Sequence, residues 1–198
     1  MNDDLTSGQY KVISPEDLAD LRRRAKHTLK QFPGAAFVGG TALRIWCDYL
    51  GIPTPAEFGQ DTDITIPGAQ KYQNYQNTPA GWIDIFPIRV PMVEPFFTAI
   101  IYNGTHVRLA TLQYLLVRKI SSMRDGIDER SNIMAKDLVY YDLLKRMVKA
   151  EELNVVIEAL QSDLKEQVLR GDMAQAESRI VDFRSRGRIS QEVHPERA

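Results

Sequence analysis

The chain has 198 residues, 43% of them hydrophobic, which is enough to bury a core in one sizeable domain or two small ones. Its 25 basic and 26 acidic side chains nearly cancel, so no global field draws it to nucleic acid or to a membrane, and any such binding is local. There is no apolar run long enough for a membrane span, and the start Met1-Asn2-Asp3-Asp4 lacks the basic and apolar segments of a signal peptide, so the cytoplasm is the expected compartment.

Residues up to about 13 read as a loose arm. Ser14-Pro15-Glu16-Asp17 supplies a cap, a proline for the first helical position and two acids that suit the helix dipole. Leu18, Leu21, Ala25 and Leu29 follow at helical spacing until Phe32-Pro33-Gly34 breaks the helix, and Arg22-Arg23-Arg24 reads as a solvated face. A strand is expected over 35–38 and a helix over 41–50, with Cys47 a buried thiol on it. Strands are expected over 60–66 and 82–88, separated by a polar stretch over 69–81. Asn103-Gly104 between two apolar segments signals a tight hairpin, with His106 on an exposed edge. From Thr111 the periodicity is helical: one helix with Leu112, Leu116, Ile120 and Met123, a polar turn over 125–132, then three more helices and a polar tail. The expected fold is α+β: a small mixed sheet of about five strands with flanking helices over 1–110, then an α-helical bundle over 111–198.

The chemistry concentrates between Phe37 and Asp84. Phe37-Val38-Gly39-Gly40-Thr41 is an apolar strand entering a glycine turn and then a helix, which leaves amides unpaired at the helix N-terminus and makes an anion site. Thr41 can cap that helix or bond a phosphate oxygen. Asp61 and Asp63 stand two residues apart in a β-branched run, so both carboxylates leave one face of a strand. Close carboxylates require a proton, a basic partner or a hard divalent cation. Asp84, among apolar neighbours on the next strand, is the third acid that would let such a site hold two metal ions.

A Gly-Gly turn, an Asp-x-Asp strand and a later single acid, in that order, resemble the nucleotidyltransferase superfamily related to DNA polymerase beta. Within it, Gly39-Gly40-Thr41-Ala42-Leu43, Lys119-Ile120, Lys136-Asp137-Leu138 and Asp142-Leu143-Leu144 look like the motifs of AbiEii-type enzymes, the toxin halves of type IV toxin-antitoxin and abortive-infection systems. Thr62 between the paired acids departs from the aliphatic residue usual there, and 57–60 lacks the expected basic residue. The resemblance implies nucleotidyl transfer from a nucleoside triphosphate such as ATP, with two magnesium ions on Asp61, Asp63 and Asp84. Gly39, Gly40 and Thr41 would cradle the outer phosphates, Lys119 would meet the departing pyrophosphate and Asp137 would support the site. The implied acceptor is RNA, particularly the acceptor end of transfer RNA, with a cognate antitoxin as a possible protein partner. Two other readings stay open. One is an aminoglycoside-like small-molecule nucleotidyltransferase, and the other is a nucleotide-binding module without turnover.

Overall fold

The computed structural model describes residues 11–56, 61–88, 90–130, 133–164, 170–185 and 189–190. The chain divides into two compact units, Met1–Leu115 and Leu116–Ala198.

The first unit opens on a short pairing of the arm with the chain after the second helix. The Ile13 amide donates to the Thr54 carbonyl at 2.8 Å and the Ala56 amide to the Lys11 carbonyl at 2.8 Å. Residues 11–13 are therefore held, unlike the loose arm expected, because buried Ile13 anchors them to the unit. Helix α1 (Pro15–Gln31) starts as expected, with Ser14 as N-cap accepting from the Asp17 amide at 3.1 Å. Strand β1 (Ala36–Phe37) leads into helix α2 (Gly39–Leu50). Then come β2 (Thr62–Thr65), β3 (Gln73–Thr78), β4 (Gly81–Ile85), β5 (Phe97–Tyr102) and β6 (Thr105–Ala110).

Among the described residues these form a six-stranded sheet in the order β3-β4-β2-β1-β6-β5. β1–β6 and β2–β4 are parallel and the other pairs antiparallel, so the sheet is mixed. The expected count of about five strands omitted β3, which lies in the stretch read as polar connection. His106 is exposed, but β6 is an interior strand and β5 is the edge. The Asn103-Gly104 hairpin is as expected, both residues holding positive φ (46° and 70°), as the tight turn requires. Along β2 and β4 the buried side chains Thr62, Ile64, Ile83 and Ile85 share one face, and Asp63 and Asp84 share the other.

The arginine run on α1 is a wet face only in part: Arg22 and Arg23 are exposed. Arg24 is buried, and its Nε lies 2.8 Å from Asp20 Oδ2. Arg22 bonds both oxygens of Asp48 on α2, Nε to Oδ2 at 2.8 Å and Nη2 to Oδ1 at 2.6 Å, and the Tyr102 hydroxyl donates to Asp48 Oδ2 at 2.5 Å. Burial works against the charge on Asp48, but the Arg22 and Tyr102 bonds win and hold its carboxyl below the usual value of 3.8. A depressed native pKa adds stability that is complete above the unfolded value and is lost as the pH falls below it. Asp48→Asn is therefore expected to lower stability by about 1–3 kcal/mol at pH 7, the cost of unpairing hydrogen-bonded groups whose acceptor is only 7% exposed. The gap between the two proteins in thermal unfolding should narrow as the pH falls below 3.8, and a gap that stays the same from pH 7 down through the acid range would rule out this charge as its cause. Cys47 is buried as expected, and that burial pushes its thiol up to about 12.

Helix α3 (Leu112–Arg130) runs across the division between the units and continues through much of the segment read as a polar turn. Thr111 caps it, its Oγ1 accepting from the Tyr114 amide at 3.3 Å and donating to the Pro95 carbonyl at 2.8 Å. The second unit adds β7 (Ile133–Met134), α4 (Ala135–Met147), α5 (Ala150–Leu164), α6 (Arg170–Ser185) and β8 (Ile189–Ser190). Its core includes Leu116, Ile120, Leu138, Leu144, Leu160 and Ile180, on the helical stripes the sequence shows. The parallel β7–β8 pair takes Ile189-Ser190 out of what reads as a frayed tail; residues 191–198 lie outside the described residues.

Candidate active site

The site in the first unit is built around Asp63. Gly39 opens α2 with φ +54°, a left-handed value that brings the turn against β2, where a Cβ on Gly39 would sit 2.7 Å from Asp63 Oδ2. No side chain near α2 in sequence caps it: Val38 at the N-cap has no capping side-chain bond, and the first turn has no acid. Asp63, from β2, fills that role. Its Oδ2 accepts from the Gly40 amide at 3.0 Å and the Thr41 amide at 3.4 Å, placing a negative charge on the positive end of the helix.

Thr41 is turned the other way. Its hydroxyl accepts from the Asp63 amide at 2.9 Å and donates to the Asp61 carbonyl at 3.2 Å, and the residue is 3% exposed. The sequence left Thr41 as a cap or a phosphate contact; in the structure it ties β2 to α2, and the turn amides expected at phosphate face Asp63.

Asp84 pairs in register with Asp63 on the parallel neighbour β4, so the two side chains leave the same face of the sheet. Its Oδ1 accepts from the Tyr72 hydroxyl at 2.7 Å and from Asn74 Nδ2. Asn74 is on β3 in register with Asp84, and Tyr72 is two residues earlier. Asp63 carries the electrostatic consequence of this crowding. Burial raises its carboxyl, the Thr41 and Gly40 amides oppose that, Asp84 and Asp61 add to it, and the result is pushed up to about 6.

The three acids are thus neighbours, but they do not close on a common point. Among the described residues no three His, Cys, Asp or Glu side chains are already grouped around one point where a metal ion could sit. The physical reason is that Asp63 is drawn to the helix and Asp84 to Tyr72 and Asn74, each through one oxygen. The second oxygens, Oδ1 of Asp63 and Oδ2 of Asp84, lie outside these bonds. Two adjacent carboxylates with an oxygen each outside these bonds, one of them raised by burial and then by the other's charge, are a donor set that suits a hard divalent cation.

Lys119 and Asp137 belong to the second unit and pair with each other, Nζ to Oδ1 at 2.7 Å, with Nζ also 4.3 Å from the centre of the Tyr140 ring. Residues 57–60, where a basic residue was sought, lie outside the described residues. Asn74 is a site residue that the sequence reading missed, as it missed the bond that ties Tyr72 to Asp84. Their signal was present in the Gln-, Asn- and Tyr-rich stretch before Asp84, where an i, i+2 spacing places both on one strand face.

No protein-family model matches the sequence, and no curated protein matches it either. Its likeness is to solved structures. The antibiotic-resistance factor ANT(2'')-Ia, determined in solution, superimposes with a TM-score of 0.50 at 12% identity, covering 88% of this chain and 98% of that one. An antigenic nucleotidyltransferase-like protein from Paracoccidioides brasiliensis aligns with a TM-score of 0.41 at 16% identity, over 85% of this chain and 95% of its own. At the identity of the first, the likeness is one of fold, and with the mixed sheet it defines a nucleotidyltransferase-like fold.

Proposed function

We propose that the protein is a metal-dependent nucleotidyltransferase, moving a nucleoside monophosphate from a nucleoside triphosphate to an acceptor hydroxyl with release of pyrophosphate. The observation that carries this reading is the register pair Asp63–Asp84 beneath the Gly39-Gly40 turn, in a fold of nucleotidyltransferase type. Asp61, Asp63 and Asp84 would hold divalent cations, and magnesium bound to such oxygen donors supplies Lewis-acid activation of the phosphoryl group and of the acceptor hydroxyl.

The protein's own contribution is positioning and charge. The Gly40 and Thr41 amides form an anion site at the start of α2 that Asp63 Oδ2 fills from within the chain, and an incoming phosphate oxygen competes for the same donors. Tyr72 and Asn74 fix one oxygen of Asp84, which limits its rotation. Lys119, held by Asp137, would offset charge on the departing pyrophosphate, as the sequence resemblance implies.

The same resemblance, to AbiEii-type enzymes, favours RNA as acceptor and a toxin role paired with an antitoxin. Exposed Arg108 and Arg118 offer local phosphate contacts in a chain with no net basic field. The test is to incubate the protein with each labelled nucleoside triphosphate, magnesium and a mixture of total RNA, aminoglycosides and cell protein, beside Asp84→Ala. Label should pass to RNA with the parent protein and fall below detection with the variant. Label on an aminoglycoside would replace RNA with a small-molecule acceptor. Magnesium-dependent nucleotide binding without any label transfer would replace the enzyme with a binding module.

A further inference from the structure

On the face of the sheet that carries the acids, two large aromatic side chains stand in water beside Asp84. Tyr72 is 53% exposed and Phe86 38% exposed, with ring centroids 5.5 Å apart and planes inclined at 55°. Phe86 is two residues beyond Asp84 and so leaves the chain on the same side, the strand direction being kept by a bond from the Phe86 amide to the Ile64 carbonyl at 2.8 Å. Tyr72 reaches Asp84 from the other flank with its hydroxyl. The two rings therefore make an open notch whose wall is a carboxylate of the candidate site.

Isolated exposed aromatics are ordinary, but a contiguous pair tied to a functional acid asks for an occupant. The surroundings say which kind. Residues 70–78, Gln-Lys-Tyr-Gln-Asn-Tyr-Gln-Asn-Thr, contain several amides and phenols but one charge, Lys71, and no acid. Ring faces attract ammonium groups as well as flat bases. A polycationic aminosugar, however, needs several carboxylates to pair with, and beyond the site's own acids, which the proposed reaction gives to cations, residues 70–78 supply none. A planar heterocycle needs a π-face to stack on and neutral donors and acceptors at its edge, which are what Tyr72, Phe86 and the neighbouring amides provide.

We infer that Tyr72 and Phe86 form a stacking site for a nucleobase next to Asp84, which makes a nucleotide-bearing ligand, and not an aminosugar, the one seated beside the acids. The inference rests on the nucleotidyl-transfer reading for its choice of site, and its test is binding without turnover, so that the two fail separately. The base belongs either to the incoming nucleoside triphosphate or to the terminal nucleotide of an RNA acceptor.

Binding would be measured at equilibrium for the full chain and for Phe86→Ala, Tyr72→Ala and Tyr72→Phe. The probes are ATP, inorganic tripolyphosphate, a short single-stranded RNA with a normal 3′ terminus, the same RNA with an abasic 3′ terminus, and neomycin. Removing either ring should weaken base-bearing ligands by about 5- to 100-fold, the range alanine substitution of a stacking aromatic gives. Tyr72→Phe keeps the ring and should keep most of the affinity. Ring-dependent loss for ATP but not tripolyphosphate assigns the notch to the incoming base. Loss for the normal RNA but not the abasic one assigns it to the acceptor. Equal affinities for all variants on every ligand, or ring-dependent binding of neomycin alone, would overturn the inference. Ring-dependent base binding in a protein that transfers no label would leave the notch standing and remove the enzyme reading. Label transfer indifferent to both ring deletions would do the reverse.

Discussion

Asp63→Asn should abolish turnover while making the metal-free protein more stable. The activity side follows from the proposed role: losing a carboxylate donor beside Asp84 removes several kcal/mol of charge stabilisation, a fall on the order of 10³-fold or more in kcat. The stability side is a contest between two effects of opposite sign. As the cap of α2 the Asp63 charge favours the fold, an effect of about 0.5–2 kcal/mol. As a desolvated acid beside Asp84 and Asp61 it opposes the fold, and its carboxyl at about 6, above the ordinary 3.8, says that the second effect wins. A tenfold change in proton affinity is worth about 1.4 kcal/mol, so an amide that keeps the acceptor oxygen and drops the charge should gain about 2–3 kcal/mol at pH 7.5.

The sign also fixes the pH behaviour. A raised native pKa means stability that is present at low pH and lost as the pH rises through about 6, so the advantage of the variant should grow from pH 4 to pH 7.5. Thermal unfolding in a metal chelator, with kcat measured on the same preparations, checks both sides. A variant that is inactive and less stable would make Asp63 a helix cap first, and an active one would remove it from the mechanism.

What could be read from the sequence divides along a physical line. The elements that announced themselves carry local signals: the Ser14-Pro15 start of α1, the Asn103-Gly104 hairpin, the helical stripes of the second unit and the acid-bearing strands with their alternating apolar partners. Strand β3 did not, because an edge strand of Gln, Asn and Tyr has no buried face to impose a period of two, and its pairing with β4 is made by backbone atoms that every sequence shares. The same gap hid Tyr72 and Asn74 as partners of Asp84. The buried Arg24 was illegible for a related reason. In a run of three arginines only the three-dimensional packing decides that Arg24 is the one buried, since Arg23 meets the same Asp20 from the exposed side. At the site the order of residues put Asp63 and Asp84 on neighbouring strands, where the structure has them, but gave none of their partners. That the helix amides would be met by Asp63, 23 residues away, is a property of how β2 lies against α2.

Gly39→Ala is expected to be the most damaging conservative change in the first unit. Two costs coincide there. The φ of +54° is a conformation in which an L side chain costs about 1–2 kcal/mol, and the new methyl carbon would meet Asp63 Oδ2 at 2.7 Å and its Cγ at 3.1 Å. The carboxylate must leave the two amides or the turn must shift, so a loss of about 2–4 kcal/mol in stability should accompany a fall of at least 10²-fold in nucleotidyl transfer. Gly51→Ala, at φ +68° with nothing within 4 Å of its Cβ, carries the backbone cost alone and should leave turnover intact.

The two contributions at Gly39 separate further in a double-mutant cycle with Asp63→Ala, which removes the atoms at 2.7 and 3.1 Å and leaves only the Asp63 Cβ at 3.3 Å. In that background Gly39→Ala should cost about as much as Gly51→Ala does in the parent, giving a favourable coupling of about 1–2 kcal/mol. Equal costs of Gly39→Ala with and without the Asp63 carboxylate would mean that the glycine serves the turn alone. The close packing of strand acid against helix start would then not be what selects glycine there.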